Sequence, residues 1–200
     1  MNRRGLALLL ALCGYATPAL ATFHLWDVSE VFSNSDGTVQ FIEFFTASAG
    51  QQFLGGGTHF VRTEQANAIR NSFTFPANLV VPTNTTTANH HFLIATPGFA
   101  AVAGVAPDYE IPVGFIEVGI ADEINFANVD SFLLAGLPTD GINSLNEVAV
   151  VAAATPTNFA GEIGTIVPEP GAALAGIVAL ACGAVLSRRV VPTAGSHRAA

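Results

Sequence analysis

Two adjacent histidines, His90 and His91, are the residues of this chain whose type most directly suggests chemistry, because an imidazole can ligate a transition metal or exchange a proton near neutral pH. Neighbouring residues of a strand point to opposite faces, so the two cannot easily share one ion. A metal site would have to recruit His24, His59 or distant carboxylates, and no His-Glu-x-x-His spacing is present. The plainer reading is a pair of structural or surface histidines. Asp122, Glu123, Asn125 and Asp130 supply hard oxygens of the kind calcium takes, in a spacing that is not that of an EF-hand loop; acids solvated on loops are the alternative. Glu43 and Glu117 sit among apolar neighbours, and two carboxylates are what glycoside hydrolysis requires. Their structural counterpart is a carboxylate bonded to backbone or to Arg62 or Arg70, since a buried charge without a partner is too costly to keep. A serine nucleophile has no Gly-x-Ser-x-Gly elbow to sit on.

Composition removes further classes. Of 200 residues 50% are hydrophobic and 11% charged, too apolar for a disordered chain and long enough for one domain or two small ones. All seven basic residues are arginines, so there is no Schiff-base amine, phosphate-loop lysine or lysine-derived isopeptide cross-link. Cys13 and Cys182 both lie in apolar terminal segments, so a product trimmed of its ends has no thiolate zinc site, cysteine nucleophile or disulfide. Between those ends only Arg62 and Arg70 oppose fifteen carboxylates, leaving a charge of −13 where the whole chain shows −8. Nucleic acid is therefore excluded as a partner, because its binding rests on cationic neutralisation of phosphate.

The ends read as addresses. Residues 1–21 combine Arg3 and Arg4, an apolar run over 6–12, the helix-breaking Pro18 and then Ala19-Leu20-Ala21, which is the layout of a secretory signal peptide cut after Ala21, with Ala19 and Ala21 at the −3 and −1 positions. At the other end Pro168-Glu169-Pro170 precedes an apolar stretch, 171–187, and then Arg188 and Arg189 open a basic tail, 188–200. The uncharged residues 171–186 would rise about 24 Å as a helix against a hydrocarbon core of about 30 Å, a short span that snorkelling arginines can help. The arginine pair holds that side in the cytoplasm and places the middle of the chain outside.

This ending resembles the PEP-CTERM sorting signal of Gram-negative bacteria, carried here by Pro168, Glu169 and Pro170, the apolar helix, and Arg188 with Arg189. The resemblance implies recognition by the membrane protease-transpeptidase exosortase after signal peptidase has acted, transient anchoring in the inner membrane, and passage to the cell surface or exopolymer matrix. Eleven residues follow Arg189, where such signals usually stop almost at once.

For the middle, alternation and turn residues predict strands over 25–32, 39–45, 58–62, 72–75, 91–96, 115–119, 129–134 and 148–152, and a helical turn or two over 64–69. Turns fall at Asn34-Ser35-Asp36-Gly37, Gly55-Gly56-Gly57 and Thr139-Asp140-Gly141. In the second strand Val39, Phe41 and Phe45 share one face and Thr38 and Gln40 the other; Glu43 falls on the apolar side and demands a partner. Eight short strands at this spacing predict a mainly β, antiparallel sandwich over 22–154, followed by a linker, 155–170. Residues 24–32 (HLWDVSEVF) and 38–45 (TVQFIEFF), with looser matches at 73–76 and 91–95, resemble lamin-tail-like domains, which implies an immunoglobulin-like fold, an interaction or scaffold role, and no catalytic residues. The expectation is an exported, non-catalytic module without a resident cofactor, binding exopolysaccharide or surface proteins. The alternatives are a carboxylate-dependent, glycoside-acting hydrolase and a calcium-dependent adhesin.

Overall fold

The computed structural model describes residues 23–167. The expected signal peptide with Ala19 and Ala21, the motif Pro168-Glu169-Pro170, the apolar stretch 171–187 and the tail with Arg188 and Arg189 lie outside the described residues.

The described chain is mainly β. Its strands are β1 (Asp27–Ser33), β2 (Gln40–Thr46), β3 (Phe60–Gln65), β4 (Ala68–Thr74), β5 (His90–Ala95), β6 (Tyr109–Glu110), β7 (Glu123–Phe126), β8 (Asp130–Leu133), β9 (Asn143–Asn146) and β10 (Val151–Ala153), with one short helix, α1 (Phe99–Ala103), between β5 and β6. They form a six-stranded sheet ordered β10-β9-β1-β2-β5-β6 and a four-stranded sheet ordered β4-β3-β7-β8. The pairings of the described strands are antiparallel, as expected, except that β5 and the two-residue β6 run parallel at one edge. The β1–β2 hairpin is closed by the turn read from sequence: Gly37 takes φ +70°, Asn34 N–H donates to Val39 O at 3.0 Å, and Asp36 accepts from the Thr38 backbone and hydroxyl.

The two sheets share one apolar core in a sandwich-like stack. Val28, Ile42, Phe44, Phe92 and Ile94 of the large sheet meet Val61, Ile124, Phe126 and Phe132 of the small one. Phe44 stacks on Phe92 at 4.4 Å between centroids and reaches Phe126 across the gap at 5.0 Å. Trp26 is fully buried against Phe92, and its indole N–H donates to Gln51 O at 2.8 Å, the partner a buried indole needs.

The outer face of the large sheet is covered as well. Phe32, Phe41, Leu93 and Ala95 pack under Phe99 and Ala103 of α1, Val105, Ala154 and Ile166. Residues 155–167 are therefore not the expected linker: Thr165 N–H donates to Ala103 O at 3.0 Å, Val167 N–H to Val102 O at 3.2 Å, and Thr157 bridges Ile163. Proline, threonine and glycine give this stretch the composition of a linker, yet the apolar outer face must be covered and an extended strap does so without any periodic pattern. Gly164 makes the fit possible, because a Cβ there would meet Val105 Cγ1 at 2.5 Å and Ala103 O at 2.7 Å. Gly164→Ala is expected to lift the strap, read as faster limited proteolysis within 155–167 while the two sheets keep their circular dichroism; unchanged cleavage would contradict the close approach.

Two further expectations are corrected. Residues 115–119 form turns, not a strand. Residues 64–69, expected as a helical turn, lie in the β3–β4 hairpin, where Ala66 (φ +50°) and Asn67 (φ +65°) make a two-residue turn of the primed type that matches strand twist. No helix among the described residues is long and apolar enough to cross a membrane.

Candidate functional site: a carboxylate pair under the strap

The local cause of the site is a β-bulge. Val28 pairs with Phe44 and Glu30 with Glu43, so Ser29 is an extra residue in β1. The bulge turns Glu30 to the outer face and sets it directly opposite Glu43, with the two residues only 8% and 3% exposed. Like charges opposed across strands repel, and burial penalises both.

The donors around them offset that cost. Glu30 accepts from the Ser144 hydroxyl of β9, from Thr155 N–H at 3.0 Å and from the Thr155 hydroxyl at 3.4 Å. Glu43 Oε1 accepts from the Ser29 hydroxyl at 3.0 Å and pairs with His91 Nδ1 at 2.7 Å, while Oε2 accepts from Thr157 N–H at 2.5 Å. Burial pushes the Glu30 carboxyl above its ordinary range, the Ser144 and Thr155 bonds pull it back, and the Glu43 charge adds to the rise. A third carboxylate, Asp108, fastens the strap further along, accepting from Leu93 N–H at 2.8 Å and Phe159 N–H at 2.9 Å. Burial raises its pKa and those backbone bonds oppose the rise.

Glu43 thus has the backbone partner that was expected as one possibility, Thr157 N–H, and His91 beside it in place of an arginine. For Glu117 the expected arginine partner is found, Arg70 at 2.6 Å, while Arg62 lies over the Phe60 ring at 3.6 Å with a buried Nε that has no hydrogen-bond partner. In the tautomer with Nδ1–H, the imidazole donates to the Glu43 carboxylate. The contact is the orienting half of a carboxylate–imidazole–nucleophile relay. The other half is missing, since the Ser29 hydroxyl donates to the same carboxylate oxygen and not to the imidazole. His91 also lines a shallow groove of about 320 Å³ with Phe45, Asn146, Glu147 and Val148.

The other sequence candidates are dispersed. His90 turns away from His91 to Ala88 O at 2.9 Å and the Phe159 ring, and His59 bonds Leu54 O at 2.9 Å beneath Phe23. Glu43 lies under the strap whereas Glu117 sits on a loop against β4, so they do not make the carboxylate pair of a glycoside hydrolase. The proposed calcium ligands are occupied separately: Asp122 accepts from Ala66 N–H, Asp130 from Val28 N–H, and Asn125 from Asn128 N–H. Glu123 and Asn125 belong to β7, whose Ile124 and Phe126 point into the core; that alternation was the signal of a strand inside the acidic run. Among the described residues no three His, Cys, Asp or Glu side chains are gathered so as to hold a metal ion.

Sequence reasoning missed Glu30, Ser144, Thr155, Thr157 and Asp108. It also missed an acidic cleft where Asp27, Asp130 and Glu147 converge, in which burial and then the Asp130 and Glu147 charges push the Asp27 carboxyl up. A further cleft of about 660 Å³ is lined by Ile116, Val118, Ile120, Leu133, Leu137 and Asp122 among others. No protein-family model, curated protein or solved structure matches the chain.

Proposed function

We propose that the chain is an exported bacterial surface or exopolymer-matrix protein with an immunoglobulin-like, lamin-tail-like sandwich that binds or scaffolds and does not catalyse. Signal peptidase and then exosortase process it, with a transient stay in the inner membrane. Its partners are exopolysaccharide or other surface proteins.

One observation carries the non-catalytic part of this reading: the buried carboxylates, the groups best placed for acid–base work, are engaged by backbone donors of the strap, which they fasten to the sheet. A general acid or base must have a free oxygen within reach of substrate. Here each of the Glu43 oxygens is already bonded, and the residue is closed to solvent. Export and sorting rest on the two terminal signals read from the sequence.

Mass spectrometry of the chain from the cell-associated and exopolymer fractions tests the reading. The expected mature form begins at Thr22 and lacks 171–187. An exopolymer form that keeps the apolar segment 171–187, or a chain found only in the cytoplasm, would overturn it.

A further inference from the structure

Each sheet has two edges, and three of the four carry a charged residue within the edge strand: Arg70 in β4, Asp130 in β8 and Glu110 in β6. Charge on an edge is a common device against unwanted pairing. The fourth edge, β10, has none, and no charged residue occurs from Val148 to Gly161. All three β10 residues are exposed. In the antiparallel ladder with β9, Asn146 N–H is bonded to Val150 O and Ala154 N–H to Ile142 O, so the alternating pattern turns the N–H and C=O of Val151 and Ala153 outward. Beside this open ladder Val148, Val150 and Val151 are 69%, 52% and 48% exposed.

The geometry points to β10 as a self-recognition edge: two copies of this chain pair antiparallel through Val151–Ala153, joining their six-stranded sheets across a two-fold axis. An isologous contact of this kind needs a surface complementary to itself. Centred on Ala152, the pairing sets Val151 opposite the copy's Ala153 and the reverse, which closes about four backbone hydrogen bonds. A strand this short has few bonds to offer, so an occupant must also cover the exposed valines, and a second copy brings the same apolar trio. It must also be free of charge along its edge, in a domain that otherwise sets fourteen carboxylates against two arginines over residues 23–167.

The contact is small, and it belongs to the weak, transient class of interfaces. Overall negative charge opposes it at long range, so salt strengthens it, the reverse of an association held by ion pairs. The inference deepens the scaffold reading and rests on it for its purpose: chains concentrated at one surface would be linked in pairs.

Cysteine cross-linking in the full chain, with Cys13→Ser and Cys182→Ser, tests it. At the two-fold centre the Ala152 Cα atoms would stand about 4.5 Å apart as a non-hydrogen-bonded pair, within the span of a disulfide. Ala152→Cys under mild oxidation is expected to give covalent dimer several-fold faster than Ser72→Cys or Ser131→Cys on the edges of the other sheet, and faster still as salt is raised. Adding Val151→Glu, or separately Ala153→Glu, should return the rate to that of the controls. Equal rates at the three sites, a rate that falls with salt, or indifference to both glutamates overturns the pairing. Loss of pairing with the chain still at the surface removes this inference alone; pairing in a chain that never leaves the cytoplasm removes the export reading.

Discussion

Glu43→Gln is expected to destabilise the domain by about 3 kcal/mol, a large share of the roughly 5–15 kcal/mol that holds a domain of this size together. The reason is the distribution of donors. Oε1 receives both the Ser29 hydroxyl and His91 Nδ1, and Oε2 receives Thr157 N–H. Glutamine has one accepting oxygen and one NH2 group, so either orientation points an N–H at a donor. If the amide oxygen stays with Ser29 and His91, Thr157 N–H is left unbonded and the strap loosens. If it turns to Thr157, His91 and Ser29 lose their acceptor. An imidazole can change tautomer and a hydroxyl can rotate, but a backbone N–H can do neither, so the first orientation damages the strap and the second damages the sheet face. Urea unfolding measures the loss, and limited proteolysis within 155–167 locates it. A midpoint equal to that of the parent chain would mean that Glu43 is a bystander beneath the strap.

The same residue shows where sequence reading succeeds and where it stops. Alternation in β2 placed Phe41, Glu43 and Phe45 on one face and correctly demanded a partner for the carboxylate. It could not name His91, because that pairing depends on β5 lying beside β2, forty-eight positions away in sequence. Glu30 was hidden by the bulge at Ser29, which breaks the period of two on which strand faces are read. β9 is polar, Asn143-Ser144-Leu145-Asn146, and lacks the β-branched residues that mark a strand; Ser144 earns its place by bonding Glu30. The hairpin turn at Ala66-Asn67 was mistaken for helix because Glu64, Gln65 and Ala68 favour helix locally and no glycine announces the positive φ angles. What was legible was local: the Asn34–Gly37 turn, the early strands and the mainly β character. The strap is a tertiary event, fixed by an apolar sheet face that only the assembled sheet presents.

Glu30→Gln, by contrast, is expected to cost about 1 kcal/mol or less at neutral pH, and to flatten the pH dependence of stability. Both strong donors, the Ser144 hydroxyl and Thr155 N–H, converge on Oε1, which a glutamine oxygen replaces. The second oxygen faces only the Thr155 hydroxyl, which can rotate to accept from the amide. Neutralising this member of the pair also removes its repulsion with Glu43. The pH effect follows from proton binding. Burial raises the pKa values of Glu30, Asp108 and Asp27 in the fold, so between the ordinary carboxylate range and those raised values the folded chain holds more protons than the unfolded one. Stability therefore increases as pH falls through that window and decreases as pH rises through it. Asp36 and Asp140, held low by hydrogen bonds in their turns, act oppositely, and their contribution is lost only when pH falls below the ordinary aspartate range. The thermal midpoint should accordingly be higher near about pH 5 than near about pH 7.5, and then drop in stronger acid. In Glu30→Gln the gain on mild acidification should shrink, because glutamine imitates the protonated carboxyl that acid would otherwise create. An equal gain in parent and variant, or a loss as large as that of Glu43→Gln, would show that the two opposed carboxylates are not held in the different ways their donors indicate.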